Sequence, residues 1–255
     1  MSYYYNLGTY FEDISFKYSS KIAIVYKNKV ISYSQLNEKS NQIANLLVSK
    51  GIIQGDVIAI ANSKRFHSFA LMIACLKLGI IYTNIDIDGP EERLEKIFKN
   101  CKPKIVFLDD AHHVVKKTCE FMSIEHFVIK DSLLSNIKES KISNMEKIKR
   151  VDGNSIAYIM FTSGSTGIPK GAAISHQNLI HFINWSFSII DVRPDDVFAN
   201  VNPMYFDNSV FDFFASLFSG SCLAPIEQDI VKNPLLLVNY IDQVKCTIWF
   251  SVPSM

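Results

Sequence analysis

Short apolar runs alternate with stretches of helical periodicity along most of the chain. "GDVIAIAN" reads as a buried strand, and "IIYTNID", "KIVFLDD", "EHFVIK", "IAYIMF", "DVFANV", "CLAPI" and "CTIWFSV" read as further strands. Between several of them, apolar residues recur at helical spacing. "ISYSQLNEKSNQIANLL" opens on Ser32 with Gln35 three residues later, a capping-box arrangement, and Leu36, Ser40, Ile43 and Leu47 then mark one helical face. "SKRFHSFALMIACLKLG" predicts a core helix stopped by Gly79. In "GPEERLEKIFKNCKP", Pro90 suits the first helical position, Glu91 and Glu92 suit the positive first turn, and Pro103 lies beyond the end. "SHQNLIHFINWSFSII" predicts a helix capped by Ser175 with Leu179, Phe182, Ile183 and Phe187 facing inward, and further helices are predicted around "SVFDFFASLFSG" and over "NPLLLVNYIDQV".

Strands alternating with helices predict an α/β fold of layered αβα subdomains with largely parallel sheets. "DSLLSNIKESKISNMEKIKRVDGNS" loses apolar periodicity and gains charge. It predicts a linker near 131–153, dividing a first α/β subdomain over residues 1–150 from a second over residues 154–255.

Composition narrows the function classes. With 255 residues and 48% hydrophobic content, the chain can bury a sizeable core. The 26 basic residues against 25 acidic ones give no field that favours nucleic acid or a membrane surface. "FALMIACL", the longest apolar run, is too short to span a bilayer. The cysteines, Cys75, Cys101, Cys119, Cys222 and Cys246, are scattered without a Cys-x-x-Cys pair and read as reduced thiols. "MSYYYNLGTYFEDISF" has neither the basic start nor the apolar core of a secretory signal. The expectation is a cytoplasmic protein that binds a small molecule or another protein.

Candidate chemistry sits in "YIMFTSGSTGIPKG", residues 158–171, where a buried strand gives way to a Ser/Gly/Thr loop. Such a loop can aim several backbone N–H groups and hydroxyls at phosphate oxygens, and Lys170 adds a mobile positive charge. A flexible surface turn is the plain alternative. The common NTPase loop ends in Gly-Lys-Ser/Thr and starts a helix at the lysine. Here Pro169 precedes the lysine, Gly171 follows it, and "AAIS" continues as extended chain, so a different phosphate loop is expected.

"TSGSTGIPKG" resembles the signature of the AMP-forming adenylating enzymes: acyl- and aryl-CoA synthetases, luciferases and the adenylation domains of nonribosomal peptide synthetases. "ISYSQLNEKSNQIANLL", "CLKLGIIYTNIDIDGPEERLEKIF", "ISHQNL" and "FDNSVFDFF" resemble the family's other segments in the same order, so the resemblance runs over about residues 20–255. It departs at Asn84, where amino-acid-activating members usually have Pro, and at Ile87 and Asp88, where they usually continue Asp-Pro. The resemblance implies ATP with Mg²⁺, bound through Thr162, Ser163, Gly164, Ser165, Thr166, Gly167 and Lys170, with Lys170 and Thr162 serving catalysis.

"FDNS" points to the amino-acid branch, in which Asp207 would bind the substrate's α-ammonium; the alternative use of Asp207 is to cap the helix beginning near Ser209. Asn208, Phe211 and Phe250 are implied as pocket walls, and "FDNSVFD" with "IWFSVPS" resembles the ligases that load D-alanine onto a carrier protein. Asp212, five residues from Asp207, reads as a helix-surface charge. His176 reads either as part of the family segment or as the opening residue of a capped helix. His112 and His113 are adjacent, so they point apart, and they lack zinc-like spacing.

The implied reaction joins an amino-acid carboxylate to the α-phosphorus of ATP, releases pyrophosphate, and passes the acyl group to the phosphopantetheine thiol of a carrier protein. The family's adenine-binding segment, ribose-binding aspartate, hinge and small C-terminal domain cannot be placed in these residues. The chain therefore reads as the N-terminal part of the large domain, truncated, with an uncovered sheet edge and poor solubility expected. Two other readings stay open: a truncated adenylation-like binding domain without turnover, and an acyl- or aryl-CoA ligase.

Overall fold

The computed structural model describes residues 3–27, 29–110, 112–130, 134, 148, 150–162 and 168–252. One sheet is built from β3 (Val57–Ala61), β4 (Ile81–Ile85), β5 (Ile105–Leu108), β6 (Glu125–Val128), β7 (Ile156–Thr162) and β8 (Lys170–Ser175), in the order β6-β5-β3-β4-β7-β8. Its neighbours are parallel except in the β7–β8 hairpin. The other is built from β1 (Ile22–Tyr26), β2 (Lys29–Ser32), β9 (Val197–Asn200), β10 (Cys222–Pro225) and β11 (Ile248–Trp249), in the order β11-β9-β10-β1-β2. Here only the β1–β2 hairpin is antiparallel.

Each sheet takes strands from both sides of the 131–153 segment: β7 and β8 complete the first sheet, and β1 and β2 complete the second. Of that segment's described residues, Leu134, Ile148 and Val151 are buried.

The helices with described bounds are α1 (Leu7–Lys17), α2 (Tyr33–Ser49), α3 (Phe66–Leu78), α4 (Glu91–Cys101), α5 (His113–Phe121), α6 (His176–Ile189), α7 (Asn208–Leu217), α8 (Gln228–Val231) and α9 (Pro234–Val244). Strand alternation assigns them to layers. Ile58 and Ile60 of β3 join a central core shared with α1, α2, α3, α6 and α7, while Ala59 and Ala61 face the opposite side, under α4 and α5. In the second sheet Phe198 faces the central core, and Ala199 packs with Leu237 of α9. Strands buried on both faces carry continuous apolar runs, which is why these segments are legible in the sequence.

Local signals account for most helix ends. The Ser32–Gln35 capping box starts α2, and a Ser175–Asn178 box starts α6. Gly79 ends α3 in the left-handed region at φ 64°. Pro90 is the N-cap of α4, one residue before the expected position. The sequence pattern does not announce α1, which begins at Asn6, whose side chain accepts from the Thr9 N–H. Every residue from 68 to 78 is buried, Lys77 among them. Its ammonium pairs with Glu12 of α1 and donates to Asn37 and Asn41 of α2, cross-linking three helices. Among the described residues no helix is long and apolar enough to cross a membrane.

Candidate adenylation site

Thr162 and Lys170 are register partners at the loop end of the β7–β8 hairpin. Ser163, Gly164, Ser165, Thr166 and Gly167, which complete the expected phosphate loop, lie outside the described residues. Because β7 runs parallel to β4, Thr162 leaves the sheet at its carboxyl edge, where open α/β sheets place ligands. Both Thr162 and Lys170 are exposed, and Lys170 forms no ion pair among the described residues. The chain continues after the lysine as β8, which is the extended segment the sequence predicts. A Cβ at Gly171 would lie 2.9 Å from Ile159 Cγ2 and 3.1 Å from Phe161 Cε1, so this close approach needs glycine beside the lysine.

Asp207 occupies the N-cap of α7, where its Oδ1 accepts from the Asn208 N–H at 2.9 Å. The carboxylate is exposed, and its second oxygen accepts no hydrogen bond among the described residues. Capping therefore uses one oxygen and leaves the other available. The Tyr158 phenol on β7 is pushed up to about 12, first by burial and then by the nearby Asp207 charge. Asn208 is half-buried and lies three residues before Phe211 on the same face of α7. Phe211 is buried, with its ring 5.3 Å from Phe250 and 5.6 Å from Phe198, while Phe250 remains 43% exposed. The fold thus brings Phe211 and Phe250 together beside the start of α7. Asn84, at one of the departures from the family pattern, lines the space beneath α7 with Tyr158, Met160 and Ser209, and accepts from Asn62 at 3.0 Å.

Asp212 is not a surface charge: it is 1% exposed and accepts from Asn200 Nδ2 at 3.0 Å. Because α7 packs against β9 and β10 as well as against the face of β4 and β7, the side of the helix that would otherwise meet water is covered. Burial pushes the Asp212 carboxyl up to about 7, opposed by the Asn200 hydrogen bond and the Lys64 charge. Lys64, on the loop after β3, is 3% exposed, and burial pulls it down to about 7, opposed by Asp212. Its Nζ donates to the carbonyls of Asn200, Val201 and Ile226, each at 2.8 Å. Three acceptors require three N–H donors, which only the ammonium form supplies, so the geometry assigns a Lys64 cation, and Asp212 is the acidic neighbour that opposes the pull of burial on it.

Sequence reasoning missed Lys64, Asn200 and Asn202. The sequence reading places "SKRF" at the start of the core helix, whereas α3 begins at Phe66 and leaves Lys64 in the loop before it; the available signal was the pair of amides in "ANVNPM" at the end of a buried strand.

His176 is the buried opening residue of α6. Its Nδ1 accepts from the Leu7 N–H at 3.0 Å, which puts the proton of the neutral ring on Nε2, and burial lowers its pKa to about 4. His112 Nε2 lies 2.9 Å from Asp109 Oδ1 and not beside His113. A cleft of about 840 Å³ between α1 and α6 is lined by Tyr4, Tyr10, Ile180 and Phe187, away from the expected site residues. Among the described residues no group of three or more His, Cys, Asp or Glu side chains could hold a metal ion.

A model of the family described as AMP-binding enzyme matches residues 11–255. The L-proline--[L-prolyl-carrier protein] ligase of Pseudomonas fluorescens is 31% identical over 243 residues, covering 94% of this chain and 48% of that protein. The D-alanine--D-alanyl carrier protein ligase of Bacillus cereus is 29% identical over 232 residues, covering 91% of this chain and 45% of that protein. The chain thus spans about half the length of these relatives. Among solved structures, the Klebsiella oxytoca NpsA N-terminal subdomain in complex with 3-hydroxyanthranilyl-AMSN shares the fold, with a TM-score of 0.81 at 20% identity over 97% of this chain and 60% of that one. The layered sheets, the ordered motifs and the match over residues 11–255 lead to one assignment: the chain belongs to the AMP-binding enzyme family.

Proposed function

We propose that the protein carrying this chain activates an amino acid as its adenylate and transfers the acyl group to the phosphopantetheine thiol of a carrier protein. The observation that carries this reading is the free Asp207 carboxylate oxygen at the start of α7, beside the Phe211–Phe250 pair. An ammonium about 4 Å from such a carboxylate gains roughly 4 kcal/mol at an effective dielectric near 20, while a plain carboxylic acid would leave the aspartate unpaired. Asn208, Phe211 and Phe250 would wall the side chain and favour a small one. The two carrier-protein ligases among the relatives support the same class of acceptor.

In the first step the substrate carboxylate oxygen attacks the α-phosphorus of ATP, a new P–O bond forms, and the bond to pyrophosphate breaks. Lys170 and Thr162, exposed at the hairpin end, fit a polyphosphate: an unpaired cation and a hydroxyl at a carboxyl edge can neutralise and orient phosphate oxygens. Ser163, Gly164, Ser165, Thr166 and Gly167 would add the backbone donors of the loop. Mg²⁺, held mainly by the phosphates, would supply further charge neutralisation. In the second step the carrier thiolate attacks the acyl carbon and AMP leaves. No protein nucleophile is required, so positioning and charge stabilisation supply the rate.

The test is amino-acid-dependent exchange of labelled pyrophosphate into ATP, measured on the protein at its full encoded length. Asp207→Ala is expected to weaken amino-acid recognition by roughly two to four powers of ten. Equal exchange with plain carboxylic acids would overturn the amine assignment and favour an acyl or aryl ligase.

A further inference from the structure

The Lys64 cluster has a part that the proposed mechanism leaves unassigned. Lys64 stands in the left-handed region at φ 65°, an uncommon conformation for a residue with a side chain. Neighbouring groups hold it there. The N–H groups of Ser63 and Arg65 donate to Asp109 Oδ2 at 2.8 and 3.4 Å, and the Lys64 N–H donates to Asn62 Oδ1 at 2.9 Å. Burial pushes the Asp109 carboxyl up, but hydrogen bonds from His112, Ser68 and Ser63 outweigh it and keep Asp109 below the ordinary carboxylate range. With three successive backbone donors consumed, this loop is a rigid mount and not an anion cradle.

From that mount the Lys64 side chain crosses to the second sheet. Its acceptors are the last residue of β9, the residue after it, and the residue after β10. The chain leaving β9 runs directly to Asp207. Along this chain, Asn200 donates to Asp212 on α7, Asn202 donates to the Phe250 carbonyl at 2.9 Å, and Tyr205 hydrogen-bonds Asp86 at the end of β4. One ammonium therefore sits at the point from which the amine-binding carboxylate and both aromatic walls are suspended.

We infer that Lys64 is a positioning residue for the amino-acid site: by clamping the carbonyls of Asn200, Val201 and Ile226, it fixes the chain that carries Asp207, Phe211 and the Phe250 strand. The inference rests on the amino-acid reading of Asp207. Lys64 touches no reacting atom; it acts through the backbone it holds. The Asp212 carboxylate balances the buried charge and, through Asn200, ties the same chain to α7.

The experiment compares Lys64→Met, Asp212→Asn and the double variant by pyrophosphate exchange at full encoded length, with urea melts alongside. Lys64→Met is expected to lower kcat/KM for the amino acid by about a hundredfold while leaving the KM for ATP within about twofold. The double variant removes both charges, and the amide introduced in place of the Asp212 carboxylate can still accept from Asn200. It is expected to recover stability but not the amino-acid KM. Recovery of both would make Lys64 a purely structural charge and overturn the inference. If the methionine variants lose the fold, Lys64→Gln keeps two N–H donors for the carbonyls: an intermediate rise in amino-acid KM supports the inference, and a wild-type KM overturns it. Asp207→Ala in the same assay separates the two claims, because a rise there without one in the Lys64 variants sinks only the positioning role.

Discussion

Lys64 and Lys77 are both buried cations, 3% and 0% exposed, yet they are satisfied in different ways. Lys77 meets side chains: Glu12, Asn37 and Asn41, all on neighbouring helices of the central layer. Lys64 meets backbone: three carbonyls at the ends of two strands. A side-chain partner can shift with its rotamer, so the Lys77 cluster joins helices without dictating a chain path. Carbonyl partners fix the main chain itself, and the chain fixed by Lys64 leads to the proposed substrate site. The difference separates a buried charge that holds packing together from one that sets geometry.

The largest loss of stability is expected from Lys77→Met. It leaves Glu12, whose side chain is only 20% exposed, without its cation. Breaking a buried pair by removing one partner costs roughly 3–5 kcal/mol, so the urea midpoint is expected to fall sharply with an unchanged m-value. In protein that remains folded, the amino-acid KM is expected to stay at the wild-type value. A raised KM, or a stability loss under about 1 kcal/mol, would erase the distinction between the two lysines.

The same comparison explains what was legible in the sequence. Strands buried on both faces, capping boxes at Ser32 and Ser175, and the glycine stop at Gly79 are local patterns, and the structure contains them where they were expected. Lys170 is singled out in the sequence because its motif is contiguous. Lys64 and Lys77 were not, because their burial depends on partners 136–162 and 36–65 positions away in the chain. Asp212 was misread for the same reason: helical spacing gives its angle from Asp207 but not the second sheet that covers it. The α1 helix was missed because its start rests on the Asn6 cap and a hydrogen bond from Leu7 to His176.

His176 is a buried group of a third kind, a neutral ring whose cation burial disfavours and the Asp152 charge only partly supports. Its folded pKa, about 4, lies below the ordinary 6.5, so the unfolded chain takes up a proton that the folded one refuses. Its contribution is therefore fully present above pH 6.5 and is lost as pH falls through about 4. The difference corresponds to about 3 kcal/mol. Urea melts at pH 7 and pH 4 are expected to show a smaller acid loss in His176→Asn than in wild type by that order. Parallel losses would mean that the buried ring accepts a proton and gains a partner for it.

The smallest effect on stability is expected at the third lysine of interest, Lys170, which is exposed at the hairpin end and has no ion-pair partner among the described residues. Lys170→Met should change stability by less than about 0.5 kcal/mol, because a solvated side chain without packing or pairing contributes little to the fold. Its place at the carboxyl edge predicts the opposite for catalysis. Pyrophosphate exchange is expected to fall by about 10²–10³-fold, the scale on which charge stabilisation at a reacting centre acts. Stability and exchange measured on one preparation would then rank the lysines in reverse orders: Lys77 first for the fold and Lys170 first for the chemistry, with Lys64 affecting both. A Lys170 variant that lost stability in proportion to exchange would show instead that the cation holds the hairpin and that the phosphate role belongs to other groups of the loop.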